Sequence, residues 1–424
     1  MAGKQRIVCF GPGPAFKGGL ANYNASLALA LDRSGEAEVH LVSWTQQYPA
    51  IVPREFKDTK SKGSMLDGSG VTVHYLTDYN RPSTWKETAR LIASLNPDQV
   101  VFQWSIAIQG LPIGRIMAGI KKRCQARIVA DLHFVIQKEG SLIDKPLTRA
   151  GLRHADAYIT HSLKTLEELR SLFPTLRFSP SGEPGARTVI PLYHPVYDMF
   201  RPDPAFDPQA FRREHGLREH VFLFFGFIRK YKGLHHAIRA FAEVAKERDD
   251  VSLLICGESF WNTLDERKWT TRLKKALFGA AKAVFLRRQD DEKDYRPLEL
   301  IDTLDLRDRV ALFNDFVPNE EVHKYFQASD AVVLFYEYAT PSGIESMAYN
   351  FGLPILATDV GHFPEVIKDG ENGYLAKAED INSMTNAMRK FLAHPVPSEK
   401  ISSFAKKLSW KAYAEAILHR GIKE

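Results

Sequence analysis

The sequence predicts an α/β protein built from two doubly wound parallel-sheet domains that face a cleft. Three observations carry this. Short apolar, β-branched runs alternate with helical patterns along the chain, as in a parallel sheet covered by helices on both faces. The rhythm starts near residue 6 and starts again near residue 221. Between the two series lies a proline-bearing stretch, 201–208, with Pro202, Pro204 and Pro208, which reads as a linker.

In the first series, residues 6–10 (RIVCF) form a strand. A loop with Gly11, Gly13, Gly18 and Gly19 follows, then a helix with Leu20, Tyr23, Leu27 and Leu31 on one face. Further strands are expected at 38–43, 71–76, 99–103, 127–130, 157–160 and 188–190. The second series opens with a strand at 221–228 (VFLFFGFI) and a helix at 234–245 that places Leu234, Ile238, Phe241 and Ala245 on its apolar side. Strands at 251–256, 310–312, 331–336 and 354–357 come next, and the turn-rich Asp369-Gly370-Glu371-Asn372-Gly373 precedes Tyr374 and Leu375.

Composition sets outer bounds. A chain of 424 residues, 44% apolar and 25% charged, supplies cores for two domains of ordinary size. No run approaches the ~18 apolar residues of a membrane span, and Met1-Ala2-Gly3-Lys4-Gln5-Arg6 leads straight into a strand, so a cytoplasmic location is expected. Cys9, Cys124 and Cys256 are odd in number and far apart, which argues against disulfides and a zinc cluster. The net charge of +6 suits an acidic substrate or an anionic membrane surface, and solubility alone would also account for it. The basic residues are spread and carry no recognition motif, which speaks against nucleic acid. No zinc spacing, nucleophile elbow or Walker loop is present.

Two segments of the second half look chemical. In Glu337-Tyr338-Ala339-Thr340-Pro341-Ser342-Gly343-Ile344-Glu345, two glutamates bracket a loop between a buried strand and a helix start, where a parallel sheet presents its ligand site. Thr340 can cap that helix with Pro341 at its first position, or Ser342 can cap it with Glu345 closing a capping box. Either way the amides near Gly343 and Ile344 point out of a positive helix end. A capping box explains Glu345 on structural grounds, whereas Glu337 has no such local task. The other segment is Arg229-Lys230-Tyr231-Lys232-Gly233, which sets cations at a helix entrance. That costs the helix dipole up to about 1 kcal/mol unless an anion shares the place. Arginine's planar fork and lysine's compact charge can together neutralise a diphosphate. A solvated basic loop is the plainer alternative.

These residues carry a family resemblance. The run from Glu337 through Gly352-Leu353-Pro354-Ile355-Leu356-Ala357-Thr358-Asp359-Val360-Gly361 and Pro364-Glu365-Val366 to Gly370-Glu371-Asn372-Gly373 resembles the signature of the retaining GT-B nucleotide-sugar glycosyltransferases, in the family numbered four. Gly18-Gly19, Gly226 through Lys232-Gly233 and Val317-Pro318-Asn319-Glu320-Glu321-Val322 are similar to it as well. Phe102-Gln103-Trp104, Leu132-His133 with Glu139, His154-Ala155-Asp156-Ala157 and Ile190-Pro191 with His194-Pro195-Val196-Tyr197-Asp198 resemble a bacterial subgroup. The resemblance covers nearly the whole chain. It implies a Rossmann-like acceptor-side domain at 1–203, completed by a crossover helix at about 405–424 that includes Leu408-Ser409-Trp410-Lys411. It also implies a Rossmann-like donor-binding domain at 204–404.

Carried over by resemblance, Arg229 and Lys232 grip the donor diphosphate and Gly19, beside Gly18, approaches it from the other domain. Glu345 holds the ribose hydroxyls and Glu337 those of the donor sugar, with Thr340, Ser342, Gly343 and Ile344 lining the loop between. Gly257, Glu258, Phe316 and Val317 lie near the base, and His133 reaches the sugar and the reaction centre. The implied activity is transfer of a hexose-like sugar from a nucleoside diphosphate to a hydroxyl of a saccharide or lipid-linked acceptor, with retention and with no metal or other cofactor. A sugar-nucleotide epimerase or a non-catalytic binding protein on the same layout are the alternatives. Two departures from the family pattern bear on these roles: Phe227 follows Gly226 where many members have arginine, and Tyr338-Ala339-Thr340-Pro341-Ser342-Gly343 replaces a common Gly-Phe-Gly loop.

Between Glu258 and Val310 the sequence predicts a basic amphipathic helix at 269–289, with Leu273, Ala276, Leu277, Ala280, Val284 and Phe285 on its apolar face. Peripheral contact with an anionic membrane and packing on the donor domain are both open to it. The acidic stretch 289–294 reads as a solvated loop, not a metal site.

Overall fold

The computed structural model describes residues 3–50, 52, 56–136, 143–259, 295–339 and 343–419. Glu139, Thr340, Pro341, Ser342, the amphipathic stretch 269–289 and the acidic stretch 289–294 lie outside the described residues.

The N-terminal sheet has eight strands: β1 (Gln5–Phe10), β2 (Ala37–Gln46), β3 (Thr72–Asp78), β4 (Gln99–Trp104), β5 (Arg127–Leu132), β6 (Ala157–Thr160), β7 (Arg177–Ser179) and β8 (Ala186–Pro191). Their spatial order is β3-β2-β1-β4-β5-β6-β8-β7. The C-terminal sheet has six: β9 (His220–Phe225), β10 (Val251–Cys256), β11 (Val310–Phe313), β12 (Ala331–Leu334), β13 (Ile355–Thr358) and β14 (Gly373–Ala376), in the order β11-β10-β9-β12-β13-β14. All neighbours in both sheets pair in parallel. Each sheet therefore reverses its winding at its centre, between β1 and β4 and between β9 and β12, and the first reverses again at its β8-β7 edge. Those switch points are where an open parallel sheet leaves a crevice beyond its strand ends.

Burial explains why these runs are strands. All six residues of β4 and of β10 are buried, and Phe222 and Phe224 of β9 are 0% and 1% exposed. Each large apolar side chain among them contributes about 1.5–3 kcal/mol by leaving water. Helices satisfy the same sheets from both sides. The strand expected at 221–228 stops at Phe225 because Gly226 turns to φ 98°, and Ile228 forms only a bridge to Ser259. The strand expected at 331–336 likewise ends at Leu334. β7, three residues of mixed polarity, offers no apolar run and is not legible in the sequence.

The two sheets are joined through residues 192–219, which include a short helix, Pro208–Glu214, capped by the Asp207 side chain. The last helix among the described residues, Trp410–His419, returns to the first domain. There it packs on the helix Gly19–Arg33, and its backbone carbonyls at Ile417 and Leu418 accept hydrogen bonds from Gln99 and Gln5 at 3.1 and 3.2 Å. All three cysteines are free thiols, with Cys9 and Cys256 buried in β1 and β10. Among the described residues, no helix is long and apolar enough to cross a membrane.

Candidate functional site

The switch points of the two sheets open onto one cleft of about 330 Å³, within the range of small-ligand sites. From the first domain come Gly18, Gly19, Asn22, Tyr23 and His133; from the second come Gly226, Tyr231, Lys232, Gly257, Glu258, Phe316, Val317, Gly343 and Ile344. The domains also touch directly around it. Lys60 pairs with Asp315 at 2.5 Å, the Lys62 amide donates to Glu320 at 3.0 Å, and the side chains of Asn22 and Asn319 meet at 3.3 Å.

The anion side of the cleft is built by β9 and the turn that leaves it. At Gly226 a Cβ would stand 3.0 Å from Lys232 Nζ and 3.2 Å from Ile344 Cδ1, so absence of a side chain there lets the ammonium lie against the strand end. Lys230–Lys232 form a single 3₁₀ turn, and Gly233 then adopts φ 63° to start the helix Leu234–Ala245. A Cβ at Gly233 would lie 1.8 Å from the Phe335 carbonyl oxygen, which requires glycine. The turn thus brings Lys232 to the cleft wall. Arg229 does not line the cleft; its guanidinium stands 5.2 Å from the Tyr231 ring.

Across the cleft, Tyr197 is a site residue to which sequence reasoning assigns no role. Its hydroxyl donates to the Gly19 carbonyl at 2.8 Å, and a Cβ on Gly343 would come within 2.4 Å of its ring. One tyrosine therefore fixes the spacing of both helix N-termini. Lys17 is a second addition: its Nζ lies 4.0 Å from Glu258 and 5.0 Å from the centre of the Phe316 ring.

His133 follows β5 and sits at the inner end of the cleft. Its Nε2 is 2.7 Å from Gln103 Oε1, and its ring meets Tyr23 edge-on at 4.6 Å. Burial, aided by the neighbouring His161 and opposed by Asp131, pushes its pKa down to about 4. The imidazole is neutral at pH 7. Nε2–H donates to the Gln103 carbonyl, which leaves Nδ1 with its lone pair. Behind it, the buried Asp131 accepts from His161 Nε2 at 2.8 Å and from the Tyr413 hydroxyl at 3.2 Å. Burial alone would raise the Asp131 pKa, but the adjacent His161 holds it below the usual carboxylate range. His194 is tied across the domains to Ser346 Oγ at 2.8 Å, and burial lowers its pKa well below the ordinary value.

The two glutamates differ from expectation in their partners. Glu345 is 6% exposed and accepts from His362 Nε2 at 2.5 Å, a residue 17 positions on. The cleft lining among the described residues includes Tyr338, Gly343 and Ile344, the sequence neighbours of the two glutamates. Glu337, expected to have no local task, has one: its carboxylate faces His235 Nε2 at 3.5 Å and His236 Nε2 at 3.7 Å. Burial would raise its pKa, yet His236 and His235 together with Lys230 bring it below the ordinary range. The sequence signal is a histidine pair directly after Lys232-Gly233-Leu234. Among the described residues, three His and carboxylate groups are close enough to share an ion: Asp131, His133 and His161; His235, His236 and Glu337; Glu219, His220 and Asp250. The first is closed by its own hydrogen bonds, and in the third Asp250 is held by Arg248.

Comparison with known proteins bears on the same architecture. Residues 207–408 match the family model described as glycosyl transferases group 1. The chain is 24% identical over 264 residues to spore coat protein SA of Bacillus subtilis, covering 58% of this chain and 60% of that protein. To the D-inositol 3-phosphate glycosyltransferase of Corynebacterium diphtheriae it is 28% identical over 230 residues, covering 52% and 47%. The chain thus spans about half to three fifths of the length of these curated relatives. Among solved structures, Anabaena HepE in complex with UDP superposes with a TM-score of 0.66 at 16% identity over 98% of both chains. The sucrose-phosphate synthase of Thermosynechococcus elongatus gives 0.66 at 16% over 98% of this chain and 97% of that one. These likenesses establish the fold as GT-B.

Proposed function

We propose, from the match of residues 207–408 to the glycosyl transferases group 1 model, that the protein transfers a hexose-like sugar from a nucleoside diphosphate to a hydroxyl of a saccharide or lipid-linked acceptor, with retention at the anomeric carbon and without a metal. The observation that carries this is Lys232 Nζ lying against Gly226 at the switch point of the second sheet, across from the Gly18-Gly19 helix start of the first. Breaking the bond from the anomeric carbon to phosphate puts negative charge on the leaving diphosphate. A fixed ammonium and two helix N-termini stabilise that charge as it develops. His133, neutral and held by Gln103, offers an uncharged acceptor beside the sugar. Glu345 is assigned to the ribose hydroxyls, Glu337 to the donor-sugar hydroxyls, and Glu258, Phe316 and Val317 to the base. In this reading the departing phosphate oxygen takes the acceptor proton, so no protein nucleophile is required. Because Anabaena HepE was solved with UDP and with UDP-glucose, uridine donors are the first to test.

The test is calorimetric titration with nucleoside diphosphates and their sugars. UDP-sugar binding is expected to weaken about 10- to 100-fold in Lys232→Ala, the scale of a lost charge-assisted contact of ~1.5–3 kcal/mol. Failure of every sugar nucleotide to bind, or Lys232→Ala binding and turning over as wild type, would sink the assignment.

A further inference from the structure

We propose that His235, His236 and Glu337 form a binding site for a divalent transition metal of the zinc, cobalt or nickel class. The geometry is the first reason. The two imidazole Nε2 atoms stand 3.5 and 3.7 Å from the same Glu337 oxygen, and all three ligand atoms lie within 4.8 Å of one another. N–H···O hydrogen bonds are about 2.7–3.2 Å, so both contacts are longer than an ordinary one. Ligands bound at about 2.0–2.1 Å to one tetrahedral ion are roughly 3.3–3.4 Å apart. The two nitrogen–carboxylate separations need only a few tenths of an ångström to reach that spacing, and the third, between the imidazole nitrogens, is within 4.8 Å.

The donor set is the second reason. Two imidazoles and one carboxylate suit borderline metals, whereas magnesium and calcium take oxygen ligands. The set is also supported from behind: His235 Nδ1 lies 2.9 Å from the Tyr295 hydroxyl, an outer hydrogen bond of the kind that orients a ligating ring and frees Nε2 for metal. The two rings lie against each other with centroids 3.8 Å apart and planes tilted by 39°, and both Nε2 atoms face the same Glu337 oxygen. With the three side chains 13–16% exposed, an ion has a way in and room for a water ligand.

One consequence rests on the proposed function. Glu337 is the group assigned to the donor-sugar hydroxyls, so a metal held there excludes the donor. The metal is then an antagonist of the reaction, not its cofactor.

Full-length protein stripped with chelator would be titrated with Co²⁺ and Zn²⁺, without sugar nucleotide, by calorimetry and by cobalt visible absorption. One ion per chain is expected, with the absorption of a low-coordinate nitrogen and oxygen site. His236→Ala and Glu337→Gln should abolish that absorption, and Tyr295→Phe should weaken binding about 10- to 100-fold. His220→Ala, in the cluster closed by Arg248, should bind as wild type. Absence of cobalt binding, or binding unaltered in both His236→Ala and Tyr295→Phe, would overturn the site. UDP titration of the metal-free protein separates the two readings: failure there removes the donor assignment and leaves the metal site standing.

Discussion

Acid should weaken this protein through His133, and the size of the effect comes from where the ring sits. A histidine in the unfolded chain titrates near 6.5, while burial pushes His133 in the fold down to about 4. Between those values the unfolded chain binds a proton that the folded one refuses, so stability is complete above about 6.5 and falls as the pH drops toward 4. Each pH unit in that window costs roughly 1.4 kcal/mol, which makes the step from pH 7 to pH 5 worth about 2 kcal/mol. Urea unfolding of wild type and His133→Gln at both pH values, followed by circular dichroism, isolates the term. His194, lowered for the same reason, is present in both proteins and cancels in the difference. Wild type should lose about 2 kcal/mol more than the variant across this interval. Equal losses would show that His133 is not held neutral by burial, and the uncharged acceptor assigned to the cleft would go with it.

Two further perturbations probe the frame of the site. Gly233→Ala combines the left-handed strain of φ 63° with a Cβ at 1.8 Å from the Phe335 carbonyl, whereas Gly216→Ala meets the same strain at φ 65° with nothing near. The second should cost about 1–2 kcal/mol and the first clearly more, up to loss of soluble protein; equal thermal midpoints would contradict the close approach. Tyr413→Phe removes a hydroxyl that donates to the buried Asp131 carboxylate at 3.2 Å. It should lower stability by about 1.5–3 kcal/mol and speed amide exchange across the Trp410–His419 helix, and unchanged exchange would mean the bond does not anchor that helix.

The parallel architecture is legible because it is written in local terms. Runs such as VFLFFG and AVVLFY announce buried strands by composition, and the glycines at 18, 19, 226 and 233 mark the turns after them. Lys232 and His133 can be singled out because each immediately follows a strand or its loop. The features that escape are set by approach across the chain. Tyr197 acts through Gly19 and Gly343, which are 178 and 146 positions away. Glu345 looks like a capping residue because Ser342 is its neighbour in sequence, but its carboxylate finds His362 through the fold. Glu337 has no local task in the sequence for the same reason: His235 and His236 belong to a different strand–helix unit and meet it only because β9 and β12 are adjacent in the sheet.

The closing helix has a bearing on how the molecule is made. Gln5, Gln99 and Asp131 all bond to residues between Tyr413 and Leu418, so the first sheet to leave the ribosome lacks part of its covering until the helix Trp410–His419 has been synthesised. During that interval Tyr23, later enclosed by Trp410 and Tyr413, lacks those two aromatic neighbours. Domains generally fold as they emerge, N-terminal first. Here part of the covering of the N-terminal unit arrives only after the second sheet has been translated.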